Sequence, residues 1–104
     1  MIFIETPVFT KRAKELLEDA EYGDLLKDLL KNPSKGVLIE GTGGIRKIRV
    51  ASRGRGTRGG ARAIYYHFVS ASRIAMLMIY AKNEKHDLSS DERKALKTII
   101  DGWS

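Results

Sequence analysis

Four cations in this chain have the types and spacing to act on a phosphodiester: Lys47 and Arg49, Arg62, and Lys82. Cleaving RNA through its own 2′-hydroxyl requires a base for that proton, cations to neutralise the five-coordinate phosphorane, and an acid for the departing 5′ oxygen. Each transfer assisted by a positioned side chain is worth roughly 10²- to 10⁴-fold, and fixed donors aimed at the developing charge add to it. A site of this kind needs no metal if its cations are held in place. Crowding among like charges disfavours their protonated forms, and that is one way for Lys47 or Lys82 to become a proton acceptor near neutral pH. The same residues are also what ordinary exposed cations on a basic strand look like, so their convergence has to come from the fold.

The elements that carry them are legible in outline. Ile45 to Ala51 reads as a strand, in which Ile45, Lys47, Arg49 and Ala51 point one way and Arg46, Ile48 and Val50 the other. Ala61 to Val69 is the next strand and begins at the site of Arg62. Ile74 to Lys82 follows, apolar on both faces for most of its length, which predicts a central strand covered on both sides. Short connections predict antiparallel hairpins, with the RGRGTRGG segment joining the first pair. Pairing of that kind brings Arg49 and Arg62 to comparable heights, and Lys82 joins them if the third strand is a neighbour.

The rest of the chain must cover this sheet. Ile2 to Glu5 reads as a short strand, Thr6 as an N-cap and Pro7 as a first helical residue. Phe9, Ala13, Leu16, Leu17 and Ala20 then form one helical stripe, and Tyr22, Leu25, Leu26, Leu29 and Leu30 a second, stopped by Asn32-Pro33. Two adjacent amphipathic helices predict a hairpin whose apolar face needs a sheet. Gly23 costs the second helix about 1 kcal/mol relative to Ala, with no local reason for it. Val37 to Ile39 is a further short strand. Ser89-x-x-Glu92 is a capping box that opens a C-terminal helix with Leu96, Ile99, Ile100 and Trp103 on one face. The expected fold class is α+β: a small antiparallel sheet carrying an N-terminal helical hairpin and a C-terminal helix, in a single domain over residues 1–104.

Charge placement narrows the function. From Gly41 to Arg62 the chain holds Arg46, Lys47, Arg49, Arg53, Arg55, Arg58 and Arg62 and no acid, whereas the whole chain nets only +6, so the remainder is slightly acidic. A local basic block predicts a surface for a polyanion, since each neutralised phosphate releases a counterion; a solvated charge run kept for solubility is the plainer reading. With 42% hydrophobic and 31% charged residues the chain is not of the disordered class, and without cysteine it forms no disulfide or thiolate zinc site. MIFIETPVF lacks a basic leader region, and no apolar run approaches the ~20 residues of a membrane span. A cytoplasmic protein is expected, with no membrane partner.

Other motifs give weaker signals. The glycines of Gly41-x-Gly43-Gly44 lack the Lys-Ser/Thr ending of a phosphate loop and read as a turn requiring positive φ. His67 reads as a partly buried sheet residue. His86, Asp87 and Glu84 match no recognised ligand spacing, so neither a metal nor a cofactor is expected. Tyr65, Tyr66 and Tyr80 could stack on bases, or sit half in the core as strand tyrosines do.

The segments GTGGIRKIRVASRGRGTRGGARAIYY and IYAKNEKHDLSSDERKALKTI, in this order of elements, resemble the RelE/HigB family of bacterial toxins from type II toxin-antitoxin pairs. GTGG, RGGxR and YxKNE are signatures of its HigB-type branch. The resemblance implies a ribosome-dependent endoribonuclease that cleaves mRNA in the A site by 2′-hydroxyl attack and so blocks translation. It places the catalytic cations on Lys47, Arg49, Arg62 and Lys82. It gives Arg46, Arg53, Arg55 and Arg58 contacts to rRNA or mRNA phosphates, and Tyr80 a stacking or positioning role. It also implies a cognate antitoxin, often a helix-turn-helix protein with an acidic segment. The RelE pattern carries an arginine after the lysine of the last motif and a functional tyrosine farther along; here Asn83 and Glu84 follow Lys82, and no tyrosine follows Tyr80. The resemblance therefore assigns no acid for the leaving oxygen. A gyrase poison of the same architecture and a plain RNA-binding module are the competing readings. The set Lys47, Arg49, Arg62 and Lys82 favours the nuclease over the first.

Overall fold

A single hydroxyl both starts the first helix and fastens it to the sheet. In the computed structural model, which describes residues 1–52, 60–85 and 87–103, strand β1 (Ile2–Glu5) leads directly into helix α1 (Pro7–Leu16). Thr6 Oγ1 accepts the Phe9 N–H at 3.0 Å and donates to the Leu77 carbonyl at 2.7 Å. The first contact caps the helix and the second crosses to a distant strand. Pro7 occupies the first turn, where its missing N–H leaves nothing unsatisfied.

Helix α1 ends before the predicted stripe does. Leu17 is extended (φ −121°, ψ 143°) and its N–H closes on Ala13. The Glu18 N–H then donates to the Glu21 carboxylate at 2.9 Å, opening helix α2 (Asp19–Lys31). Ala20 thus belongs to α2 and is exposed, not on the stripe of the first helix. Asn32-Pro33 stops α2 as expected, because the residue before proline is pushed out of helical space.

Strands β2 (Val37–Leu38), β3 (Arg46–Val50), β4 (Ala61–Phe68) and β5 (Arg73–Ala81) join β1 in a five-stranded sheet of order β1-β5-β4-β3-β2. The three hairpin pairs are antiparallel, as their short connections predict. The sheet is mixed, because β1 lies parallel beside β5; the long connection a parallel pair requires is everything between them. Helix α3 (Ser90–Trp103) starts at the predicted capping box, with Glu92 N–H on Ser89 Oγ at 3.1 Å and Ser89 N–H on Glu92 Oε1 at 2.9 Å.

One apolar cluster joins α1 and α2 to the sheet through Phe9, Leu25 and Leu29 against Val50, Ala63 and Met76. A second joins α3 to the opposite face through Leu96 and Ile100 against Ile45, Ile64 and Leu77. Strand β5 contributes to both, which is why its sequence is apolar without alternation. Ile99 and Trp103, predicted on the buried face of the last helix, are 37% and 46% exposed. The buried stripe of α3 is therefore narrower than its sequence pattern.

A bulge shifts the phase of β5. Ile64 pairs with Met78 and Tyr65 with Met76, leaving Leu77 as the extra residue. Leu77 and Met78 consequently both pack on the α3 side, and beyond them Ile79 turns to the α1/α2 side and Tyr80 to the α3 side. Without the bulge, alternation from Ala75 and Leu77 would have carried Ile79 there in place of Tyr80.

Candidate active site

The glycine- and arginine-rich segment is anchored at both ends. Before it, Ser52 is buried and donates to the Leu16 carbonyl at 2.5 Å, tying the end of β3 to the end of α1. After it, Gly60 has φ +70°, and a Cβ there would stand 2.3 Å from the Val50 carbonyl oxygen. Only glycine fits that approach. Arg53, Arg55 and Arg58, expected to contact phosphates, lie outside the described residues, as does His86.

On the strands that follow, register places the candidate cations. Arg49 is directly opposite Arg62, and Arg62 directly opposite Tyr80, so the three form a row across β3, β4 and β5. Adjacent strands are about 4.8 Å apart, which makes the row roughly 10 Å wide. Lys47 lies two residues from Arg49, on the same face. Lys47, Arg49 and Arg62 line one open groove of about 580 Å³, which Lys35, Gly36 and Val37 close at the sheet edge. Arg49 stands where β3 runs past the end of short β2, and it also borders a hollow of about 240 Å³ with Glu21, Asp24 and Asp28 of α2.

Lys82 lies outside the lining of that groove, in the turn that ends β5, and is exposed. Its backbone is nevertheless fixed. The Lys82 N–H donates to the Gly60 carbonyl at 3.1 Å, two residues before Arg62. Glu84 closes the turn twice, its N–H on the Ala81 carbonyl at 3.0 Å and its carboxylate accepting the Ala81 N–H at 2.9 Å. The Arg12 guanidinium of α1 grips that same carboxylate. Arg12 does not stand out in the sequence, and Glu84 is visible there only as a motif letter and a rejected metal ligand, since this contact spans 72 residues.

Arg46 goes elsewhere. It points to the opposite side of β3 from Lys47 and Arg49, and its guanidinium donates to the carbonyls of Ser34 at 3.1 Å and Gly36 at 2.7 Å. Tyr65 serves the same loop from the core, its hydroxyl donating to Pro33 and accepting from the Gly36 N–H. These bonds set the approach to β2.

Tyr80 is 3% exposed, and the Lys85 ammonium lies 5.6 Å from the centre of its ring. That leaves the ring no open face for stacking on a base, and its hydroxyl is buried as well. Burial above all raises its pKa, the Asp87 and Glu92 carboxylates push the same way, and the Arg62 charge pulls against them. Asp87 bridges Lys47 Nζ and Arg93 Nη2, each at 3.5 Å. The crowding of like charges expected around Lys47 is thus relieved by a carboxylate. The Asp87 carboxyl is held below its ordinary range, first by the Leu88 N–H and then by these two cations. Glu92 is lowered in the same way, first by Lys85 and then by the Ser89 N–H. Sequence reasoning weighed Asp87 only as a metal ligand and passed over Arg93. The available signal was an acid five residues past the last candidate cation, in a chain whose neighbouring strands present only bases. Among the described residues no group of three or more His, Asp or Glu could hold a metal ion, and no helix is long and apolar enough to cross a membrane.

What this arrangement offers chemically is a cationic row for phosphate oxygens, an amine paired with an ionised carboxylate, and a buried hydroxyl on the same side of the sheet. The chain as a whole is similar in structure to a mutant of the E. coli toxin RelE in the free state, with a TM-score of 0.62, 14% sequence identity and 95% of each chain covered. Residues 2–103 match the family model of the RelE toxin of the RelE / RelB toxin-antitoxin system. By that match over nearly its whole length, the chain belongs to the RelE toxin family.

Proposed function

We propose that this protein is a cytoplasmic, ribosome-dependent endoribonuclease that cleaves mRNA in the A site and is held in check by a cognate antitoxin with an acidic segment. The observation that carries the reading is the cross-strand row: Arg49 opposite Arg62, with Lys47 on the same face of the same strand. Three cations so disposed suit the charge that develops on a phosphorane, and rigid strands hold them there before the substrate arrives. In this reading Lys47, Arg49, Arg62 and Lys82 act on the scissile phosphate and its 2′-hydroxyl by a metal-independent route. Arg53, Arg55 and Arg58 grip neighbouring phosphates, and their contribution falls with added salt. Tyr80 contributes its hydroxyl.

Family membership accounts for the toxin and its antitoxin; the chemistry is tested separately. Purified protein added to translating ribosomes should give new mRNA 5′ ends by primer extension. No new ends, with gyrase trapped on broken DNA, would transfer the protein to the gyrase poisons. RNA binding without cleavage at any protein concentration would leave only a binding module.

A further inference from the structure

Two buried hydrogen-bond donors on the α3 side of the sheet have no acceptor among the described residues: the Tyr80 hydroxyl and Nε of Arg93. A buried donor without a partner is costly and uncommon, and two on one side of the sheet, both under the influence of one carboxylate, call for a common reason. Asp87 is that carboxylate. It pairs with Arg93 directly, and its charge acts on the Tyr80 hydroxyl.

Asp87 is a poor match for the donors around it. Its contacts to Lys47 and Arg93 are 3.5 Å long, against about 2.7–2.9 Å for a well-made charge-assisted bond. One of its oxygens also accepts the Leu88 N–H at 2.9 Å. Its side chain is 49% exposed, so it can swing away into solvent. Lys47 from β3 and Arg93 from α3 therefore hold an exposed anion that satisfies them incompletely, and the buried Tyr80 hydroxyl of β5, with Arg62 directly opposite Tyr80 on the next strand, lies on the same side of the sheet.

We propose that Lys47, Arg93 and the Tyr80 hydroxyl form a subsite for a phosphodiester of RNA, and that the Asp87 carboxylate is its resident stand-in, displaced when the phosphate arrives. The subsite rests on the nuclease reading above for the identity of its ligand. A phosphodiester brings two charged oxygens on a tetrahedral centre, free of the tie to Leu88, and can take up the donors that Asp87 leaves unused. Asp87 thereby neutralises the repulsion between these cations in the free protein and sets a threshold that only a well-placed phosphate overcomes.

The test reads binding and not cleavage. The full chain is titrated with inorganic phosphate and, separately, with a 2′-O-methyl RNA dinucleotide that cannot be cleaved, while the Arg93 Nε–H signal is followed by NMR. Both ligands should shift that signal saturably. Asp87→Asn removes the competing charge but keeps the acceptor for Leu88, and should tighten both by about 3- to 10-fold; Tyr80→Phe should weaken both by about the same factor. Glu15→Gln, the same charge change on α1 across the sheet, should leave both within about twofold. Weaker binding by Asp87→Asn, an unmoved Arg93 signal, or a response to inorganic phosphate but not to the dinucleotide would overturn the proposal. Protein that binds the dinucleotide in this way yet yields no mRNA ends on ribosomes would count against the nuclease reading and leave the subsite standing.

Discussion

The two faces of the sheet treat polar groups differently. Under α1 and α2, the polar side chains drawn inside end on backbone partners: Thr6 on Leu77 and Phe9, Ser52 on Leu16, Tyr65 on Pro33 and Gly36. Under α3, the Tyr80 hydroxyl and Arg93 Nε end on nothing among the described residues, and cations gather at the mouth of the same layer. A face whose hydrogen bonds are complete serves to hold the sheet, whereas the donors left over on the other face are those that the proposed phosphate subsite draws on. The strands between belong to both, so a residue one position along β3 or β4 changes from one task to the other.

That contrast can be broken from either side. Phe9 is fully buried at the centre of the α1/α2 cluster, and Phe9→Ala should cost about 3–5 kcal/mol in urea unfolding. Cleavage per folded molecule should stay unchanged; a lower rate in the molecules that remain folded would mean the faces are not separable. Gly60→Ala should strike both, because Gly60 touches Val50 and receives Lys82. It should lower stability by at least about 1–3 kcal/mol and lower cleavage further than that loss of fold explains. Gly23→Ala should affect stability alone: a Cβ there meets nothing within 4 Å, so α2 should gain about 1 kcal/mol with no change in cleavage.

Much of this was readable from residue order, and what was not has definable causes. Alternation along Ile45 to Ala51, with a hairpin after it, was enough to bring Arg49 and Arg62 to comparable heights, while the register that sets them directly opposite came from the structure. The capping residues Thr6 and Ser89 were legible because their partners lie three residues on. Tyr80 was not, since the bulge at Ile64/Tyr65 decides which face it joins and carries no glycine or proline to announce it. Arg46 read as one cation among seven in its segment, although carbonyls 10 and 12 residues away engage it. Asp87 and Arg93 were hidden for the same reason: ion pairs between loop, strand and helix have no spacing rule. Ala20 was assigned to the wrong helix because two apolar stripes with a minimal joint share an ambiguous boundary, resolved only by the Glu18–Glu21 bond.

The central claim is that the row opened by Arg49 and Arg62 does chemistry and leaves the fold to the other face. Single-turnover mRNA cleavage on ribosomes by Arg62→Ala, measured beside its urea unfolding, tests it most directly. The account predicts a loss of at least about 10²-fold in the appearance of new 5′ ends, with unfolding free energy changed by no more than about 0.5–1 kcal/mol. An Arg62→Ala protein that cleaves at the wild-type rate, or that loses activity only as far as it loses its fold, would contradict it.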